Sequence, residues 1–143
     1  MAVIQFSADS TTLVLNGTAL TDFIEGDFLE LNPVNPVTSQ INAAGGGVNI
    51  YNRVDGAVHD LVIRVQRASA SDVYLNSASN QVVPVVFNGS VKEDFVKDNT
   101  AGSESYVLEN GSLTTRPANV KNNQDGNGVM EYTIRFRTAI RNI

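Results

Sequence analysis

Hydrophobic positions in this chain recur mostly with a period of two. Residues 129–140 show it best, where Met130, Tyr132, Ile134 and Phe136 alternate with Glu131, Thr133, Arg135 and Arg137. That is the pattern of a strand with one dry and one wet face, and it predicts a long central strand. Residues 57–67 repeat it, with Leu61, Ile63 and Val65 against Asp60, Arg64 and Gln66. The period then changes: Ser69, Ala70, Ser71 and Asp72 offer N-caps ahead of Val73, Tyr74 and Leu75, predicting a short helix over 69–79. Two β-prone runs, 11–15 and 18–24, flank Asn16 and Gly17, a strong hairpin signal because both residues tolerate positive φ. The same punctuation recurs at Asp55 and Gly56, at Asn88 and Gly89 between runs 85–87 and 90–92, and at Asn110 and Gly111 between runs 106–108 and 112–114. Each predicts a further hairpin. Residues 3–6 read as an edge strand, and 81–87 as a β-prone run that Pro84 places at an edge or a bend.

Between these runs lies one long polar excursion, residues 32–47. It carries Pro33, Pro36 and the run Gly45, Gly46 and Gly47, after a strand at 28–31 and before the Asp55–Gly56 pivot. It is too polar to fold alone and long for a loop inside a compact domain, where such segments serve a function or are disordered. It needs a partner surface. Residues 98–103 form a polar, glycine-containing connection, and 117–128, rich in Asn, Asp and Gly, predict an exposed, mobile loop. Short strands, frequent turn signals and one helix predict a mainly β fold: a single domain over 1–143, an antiparallel β-sandwich or barrel-like structure with one short α-helix and a long extended loop.

Composition narrows the chemistry. At 143 residues the chain can bury a core without staples, and having no cysteine it has neither disulfides nor thiolate ligands for zinc, so no metal site is expected. No stretch approaches the roughly 20 apolar residues that span a bilayer, and residues 1–6 lack the basic start of a signal peptide. Synthesis in the cytoplasm and no membrane partner are expected. The net charge is −5, and the first basic residue is Arg53, preceded by Asp9, Asp22, Glu25, Asp27 and Glu30. So acidic a first third argues against nucleic-acid binding there, which depends on Lys and Arg neutralising phosphates.

A catalytic constellation does not emerge. His59 is the only histidine, and its neighbour Asp60 projects to the opposite face of a strand, so it cannot orient the ring. The pairs Glu25 with Asp27 and Glu93 with Asp94 read as solvated carboxylates. The triple glycine lacks both the Lys-Ser/Thr ending of a phosphate loop and a following helix. Arg135, Arg137 and Arg141 lie on the polar side of the last strand without aromatics to stack bases, so they meet carboxylates either on another strand or on another subunit. No cofactor and no enzymatic activity are expected.

The loop-bearing stretch 26–80, its alternating strand running into the Ser69–Asp72 helix start, and the β-rich remainder resemble the tail tube proteins of tailed bacteriophages, in particular the small single-domain tubes of contractile tails. The resemblance implies a structural virion protein of the tail: hexameric rings whose inner strands join into one barrel, stacked into the conduit for genome delivery. Sheath, baseplate and tail terminator proteins would be its partners, and DNA would pass without specific binding. It further implies that the 32–47 loop, with Pro33, Pro36, Gly45, Gly46 and Gly47, reaches a neighbouring subunit. A wall that must not hold DNA should be acidic, which makes Glu25, Asp27 and Glu30 the candidate lumen charges. A tail terminator or baseplate ring protein, and a carbohydrate- or receptor-binding β-sandwich, are the rival readings.

Overall fold

The computed structural model describes every residue except Asp125 and Asn127, and the side chain of Ala8. Its centre is β9 (Val129–Asn142), which pairs with β6 (His59–Gln66) on one side and β8 (Thr100–Thr115) on the other. The alternation predicted for both strands holds, with Met130, Tyr132, Ile134 and Phe136 buried against Leu61, Ile63 and Val65. Outward from this pair run β3 (Leu29–Pro33) beside β6, then β7 (Phe87–Lys97), β1 (Ile4–Leu15) and β2 (Thr18–Leu20) beyond β8, giving one antiparallel sheet ordered β2-β1-β7-β8-β9-β6-β3.

The sheet curls on itself. Residues just past β2 reach β6, where Phe23 bridges Val65 and the Gln66 amide donates to the Asp22 carbonyl at 2.8 Å. Helix α1 (Ala70–Ser79) packs on the curl, with Leu75 fully buried and the Ser69 hydroxyl accepting from the Asp72 amide. Its first turn is tied both to the segment just past β2 and to β9. The Ser71 hydroxyl donates to the Thr21 carbonyl at 2.7 Å, and the Tyr132 hydroxyl donates to Asp72 Oδ1 at 2.7 Å. The architecture is thus the expected one: mainly β, antiparallel and sandwich- or barrel-like, with one short helix.

Not every Asn-Gly pair makes a turn. Asn16 (φ 50°) and Gly17 (φ 77°) join β1 to β2 as predicted. Asn88 and Gly89, however, lie inside β7 at a register shift, and Asn110 (φ 55°) and Gly111 lie inside β8. The asparagines instead form a chain across three strands. Asn16 Oδ1 accepts from the Asn88 amide at 2.9 Å, and Asn88 Oδ1 accepts from the Asn110 amide at 3.0 Å, satisfying amides that the irregular register frees. The glycines serve close approach: a Cβ at Gly89 would stand 1.9 Å from the Val14 carbonyl oxygen, and one at Gly111 2.4 Å from the Phe136 ring. The β7–β8 turn is made by Asp98 (φ 48°) and Asn99 (φ 63°), within the segment expected to be a plain connection.

Two further expectations are corrected. Residues 32–47 are not an irregular loop, and Asp55 with Gly56 is not a β-hairpin pivot. Instead β4 (Thr38–Asn42) pairs with β5 (Val48–Asn52) as a separate hairpin, turning through 43–47 where Gly45 and Gly46 both have φ of 92°. The Asp55 turn folds this arm's base, with Arg53 Nε 2.9 Å from Asp55 Oδ1 and Gly56 tight against Val37. Residues 81–86 are not a strand either. Pro84 cannot donate to a ladder, pairing begins only at Phe87, and Val82 and Val83 are left exposed. The described part of 117–128 is without strand or helix and mostly exposed; Asp125 and Asn127 lie outside the described residues.

Candidate assembly surfaces

Strands β7 and β8 are longer than the core requires. Beyond Val91 and Tyr106, which still pack on the core, the β7–β8 hairpin runs on with the start of β1 on one side and the end of β9 on the other. Ile4, Phe6, Val96, Val107 and Ile140 are exposed on this four-strand extension. Its edges are open as well. Among the described residues no strand pairs with 4–12 on the side of β1 away from β7, since β2 covers only Leu13 to Leu15. On the opposite side β6 pairs no further than Phe136 and the Ala57 carbonyl reaches Ala139, so Ile140 to Asn142 of β9, and residues 100–104 of β8 beyond them, have no strand on their side away from β7.

The extension has two different faces. Residues directly opposite in a ladder share a face, which places Gln5, Val96 and Ala101 with Lys92, Asp94, Ser103, Ser105, Val107 and Ile140 on the side away from the core. This face is smooth and little charged. Lys92 and Asp94 stand 3.7 Å apart, and Glu109 adds one carboxylate. The core-side face carries an aromatic cleft instead. Phe6 and Phe95 lie 5.6 Å apart at 46°, and Gly102 lets the Phe95 ring rest on its backbone, since a Cβ there would sit 2.8 Å from that ring. The cleft has a volume of about 480 Å³ and reaches around the strand ends, since Gln5, Asp94, Val96 and Ala101 of the opposite face line it together with Ser7 and Ser10.

The β4–β5 arm is exposed at every strand position. Val37, Ile41, Val48, Ile50 and Tyr51 are its apolar residues, and it bears no charge between Glu30 and Arg53. Its base is anchored to the last half of β9, where Arg137 Nη1 donates to the Val54 carbonyl at 3.0 Å and the Ala139 amide to that of Ala57 at 3.1 Å.

Of the residues singled out from sequence, Pro33 ends β3, Pro36 lies at the arm's base and Gly45, Gly46 and Gly47 form its tip. Glu25 and Asp27 are exposed in the connection from β2 to β3, while Glu30 on β3 faces Arg64, 3.5 Å away; Arg64 also meets Glu131 at 3.3 Å. Only Glu30 lies in the sheet, on the outermost strand β3. The late arginines find intramolecular partners: Arg135 grips Asp60 with two bonds of 2.8 and 3.0 Å, and Arg141 meets Glu104 at 2.7 Å. The hydrogen bonds from Arg135 hold the Asp60 carboxyl below its ordinary pKa. His59 Nδ1 donates to the Ala57 carbonyl at 2.8 Å, an ordinary strand-end contact. Phe6, Phe95 and Gly102 were not singled out; the one local cue is the Asp98–Asn99 turn, which would have revealed that β7 and β8 outrun the core.

No family model matches the sequence, and no curated protein matches it. Solved structures do. A chain of the extended-state PVC sheath–tube complex of an extracellular contractile injection system superposes with a TM-score of 0.61 at 10% identity, covering 96% of this chain and 90% of that one. A chain of the PVC sheath/tube terminator gives 0.61 at 11% identity, covering 96% of each, and one of the anti-feeding prophage tube-terminating cap gives 0.59 at 10%, covering 96% and 90%. At such identities the likeness is one of fold, and the fold is that of tube proteins.

Proposed function

We propose that the chain is the tube subunit of a contractile tail or injection machine, closing head-to-tail into rings that stack into a conduit. The observation that carries this reading is the four-strand extension with two open edges on opposite sides. An exposed edge is a template for another strand. If the free edge of β1 pairs with the end of β9 in the next copy, each subunit contributes four strands to one closed barrel and no edge is left over. Six copies are the number implied by the resemblance to tail tubes.

The smooth face away from the core then becomes the lumen wall. Its charges are Lys92, Asp94 and Glu109, too few and too acidic to hold a phosphate backbone. Glu25 and Asp27 lie in the connection before β3, and Glu30, opposite Val62 in the ladder, stands on the same side of the sheet as this face but outside the extension. The role is structural rather than enzymatic, the protein's place is the tail of the particle after synthesis in the host cytoplasm, and sheath, baseplate and terminator are its further partners. Purified protein should form rings or tubes in negative-stain micrographs. A strictly monomeric scattering profile at high concentration and moderate salt would refute this function.

A terminator or cap is the second reading, supported by fold likeness to the PVC terminator and the prophage cap as close as that to the sheath–tube complex. Rings that never stack, at any concentration, would favour it.

A further inference from the structure

The arm and the aromatic cleft are both unpartnered within the subunit, and they lie at opposite ends of it. The arm hangs between β3 and β6, while the cleft is formed by β1, β7 and β8. Ring closure as proposed above would bring them to the same seam, because the arm's base is bonded to Arg137 and Ala139, directly before the free end of β9, Ile140 to Asn142, that would receive β1 of the next copy. We propose that the arm of each subunit docks in the Phe6–Phe95 cleft of the neighbouring copy within the ring. This step rests on the ring reading and assigns the arm its receptor.

Three features of the two surfaces fit this occupant. The arm carries no charge from 31 to 52, so covering it strands no ion, while apolar residues stand on both of its faces: Ile41 and Tyr51 on one, Val48 and Ile50 on the other. The cleft is apolar at its floor, where Phe6, more than half exposed, lies on the same side of the ladder as Phe95. A two-stranded hairpin with every residue exposed is only marginally stable alone, so contact with a neighbour offsets the cost of ordering it. Contact between two unlike patches is also what head-to-tail closure requires.

The absence of native cysteine makes the test direct. Two double variants are oxidised and run without reductant: Ser7→Cys with Ile41→Cys or Ile50→Cys reports on the arm and cleft, and Gln5→Cys with Ile140→Cys on the β1–β9 seam. Expected are covalent ladders ending at one ring size from the seam pair and from at least one of the two arm pairs. Ladders from the seam pair alone would overturn arm docking and leave the ring reading standing; no ladder from either would overturn both. A fast-running monomer from the arm pairs would show docking within one chain and overturn the proposal. Independently, Phe6→Asn should lower ring formation about tenfold or more at fixed protein concentration. Its unfolding midpoint should fall only slightly, since Phe6 is more than half exposed and loses only its contact with Phe95; unchanged ring formation would count against docking.

Discussion

Removing one oxygen, in Tyr132→Phe, tests the joint between helix and sheet. Tyr132 is 1% exposed, and its hydroxyl donates to Asp72 Oδ1 at 2.7 Å. The other oxygen of that carboxylate accepts from the Ala68 amide at 2.8 Å, holding Ala68 at φ 65°, a conformation alanine rarely adopts. Burial, and then the bond to Asp72, raise the tyrosine pKa well above its ordinary value. A hydrogen bond to a charged acceptor contributes about 1.5–3 kcal/mol, and the variant leaves a partly buried carboxylate short of one donor, so we expect a loss of about 2 kcal/mol. At this chain length that is a drop of about 6 °C in Tm. Urea unfolding at pH 7, in dilute protein to suppress assembly, measures it. The raised pKa adds a pH signature: the folded state favours the neutral phenol, so this contribution is complete below about pH 10 and is lost as pH rises further. The difference between wild type and Tyr132→Phe should therefore shrink above pH 10. A loss below about 0.5 kcal/mol at pH 7, or a coupling near zero in a cycle with Asp72→Ala, would refute the reasoning.

Gly89→Ala should destabilise by about 3 kcal/mol or more, because β7 lies between β1 and β8 and cannot retreat from a Cβ placed 1.9 Å from the Val14 oxygen. Gly128→Ala, with open space around it and no positive φ, should unfold within about 0.5 kcal/mol of the parent. Replacing 38–52 by a short flexible linker should leave the circular dichroism and cooperative unfolding of the sheet intact and abolish rings. In the intact monomer the amides of 38–42 and 48–52 should exchange rapidly and become protected on assembly, read by hydrogen exchange. Asp94→Lys with Glu109→Lys would turn two carboxylates and a lysine into three lysines on the proposed lumen wall. Assembled tubes should then retain DNA in a salt-dependent way, and equal DNA retention by wild type and variant would remove these residues from the lumen.

The strands legible in the sequence are those buried on one face. In β6 and β9, water on one side and core on the other write the alternation of Leu61, Ile63 and Val65, and of Met130 to Phe136, directly into the order of residues. The helix was legible for a similar reason, since Ser69 caps it locally. Asn-Gly pairs were not decidable locally, because the same two residues suit a turn and a bulge. What decides between them at Asn88 and Asn110 is the neighbouring strand, through hydrogen bonds to residues 72 and 22 positions away. The true turn at Asp98 and Asn99 contains no glycine, and its signal is correspondingly weak.

Residues 32–47 stood out in the sequence, but the pairing of 38–42 with 48–52 did not, for a reason that bears on the proposed function. Alternation appears only when one face of a strand is dry within the same chain, and β4 and β5 have no dry face: apolar and polar residues occur on both sides, and all are exposed. A sequence that merely needed a linker between β3 and β6 could close the gap in a few residues, because Pro33 and His59 are already paired. Instead the chain makes a hairpin, whose ordering costs about 1–2 kcal/mol per residue of backbone entropy without a core to offset it. Isoleucines, valines and a tyrosine placed on such a hairpin lower solubility unless they are covered. On the proposed ring reading the missing burial is supplied between subunits, where no pattern within one chain can record it. The same reading applies to the open edge of β1, whose exposed Ile4 and Phe6 look like a frayed terminus in one copy and would complete the proposed seam between two.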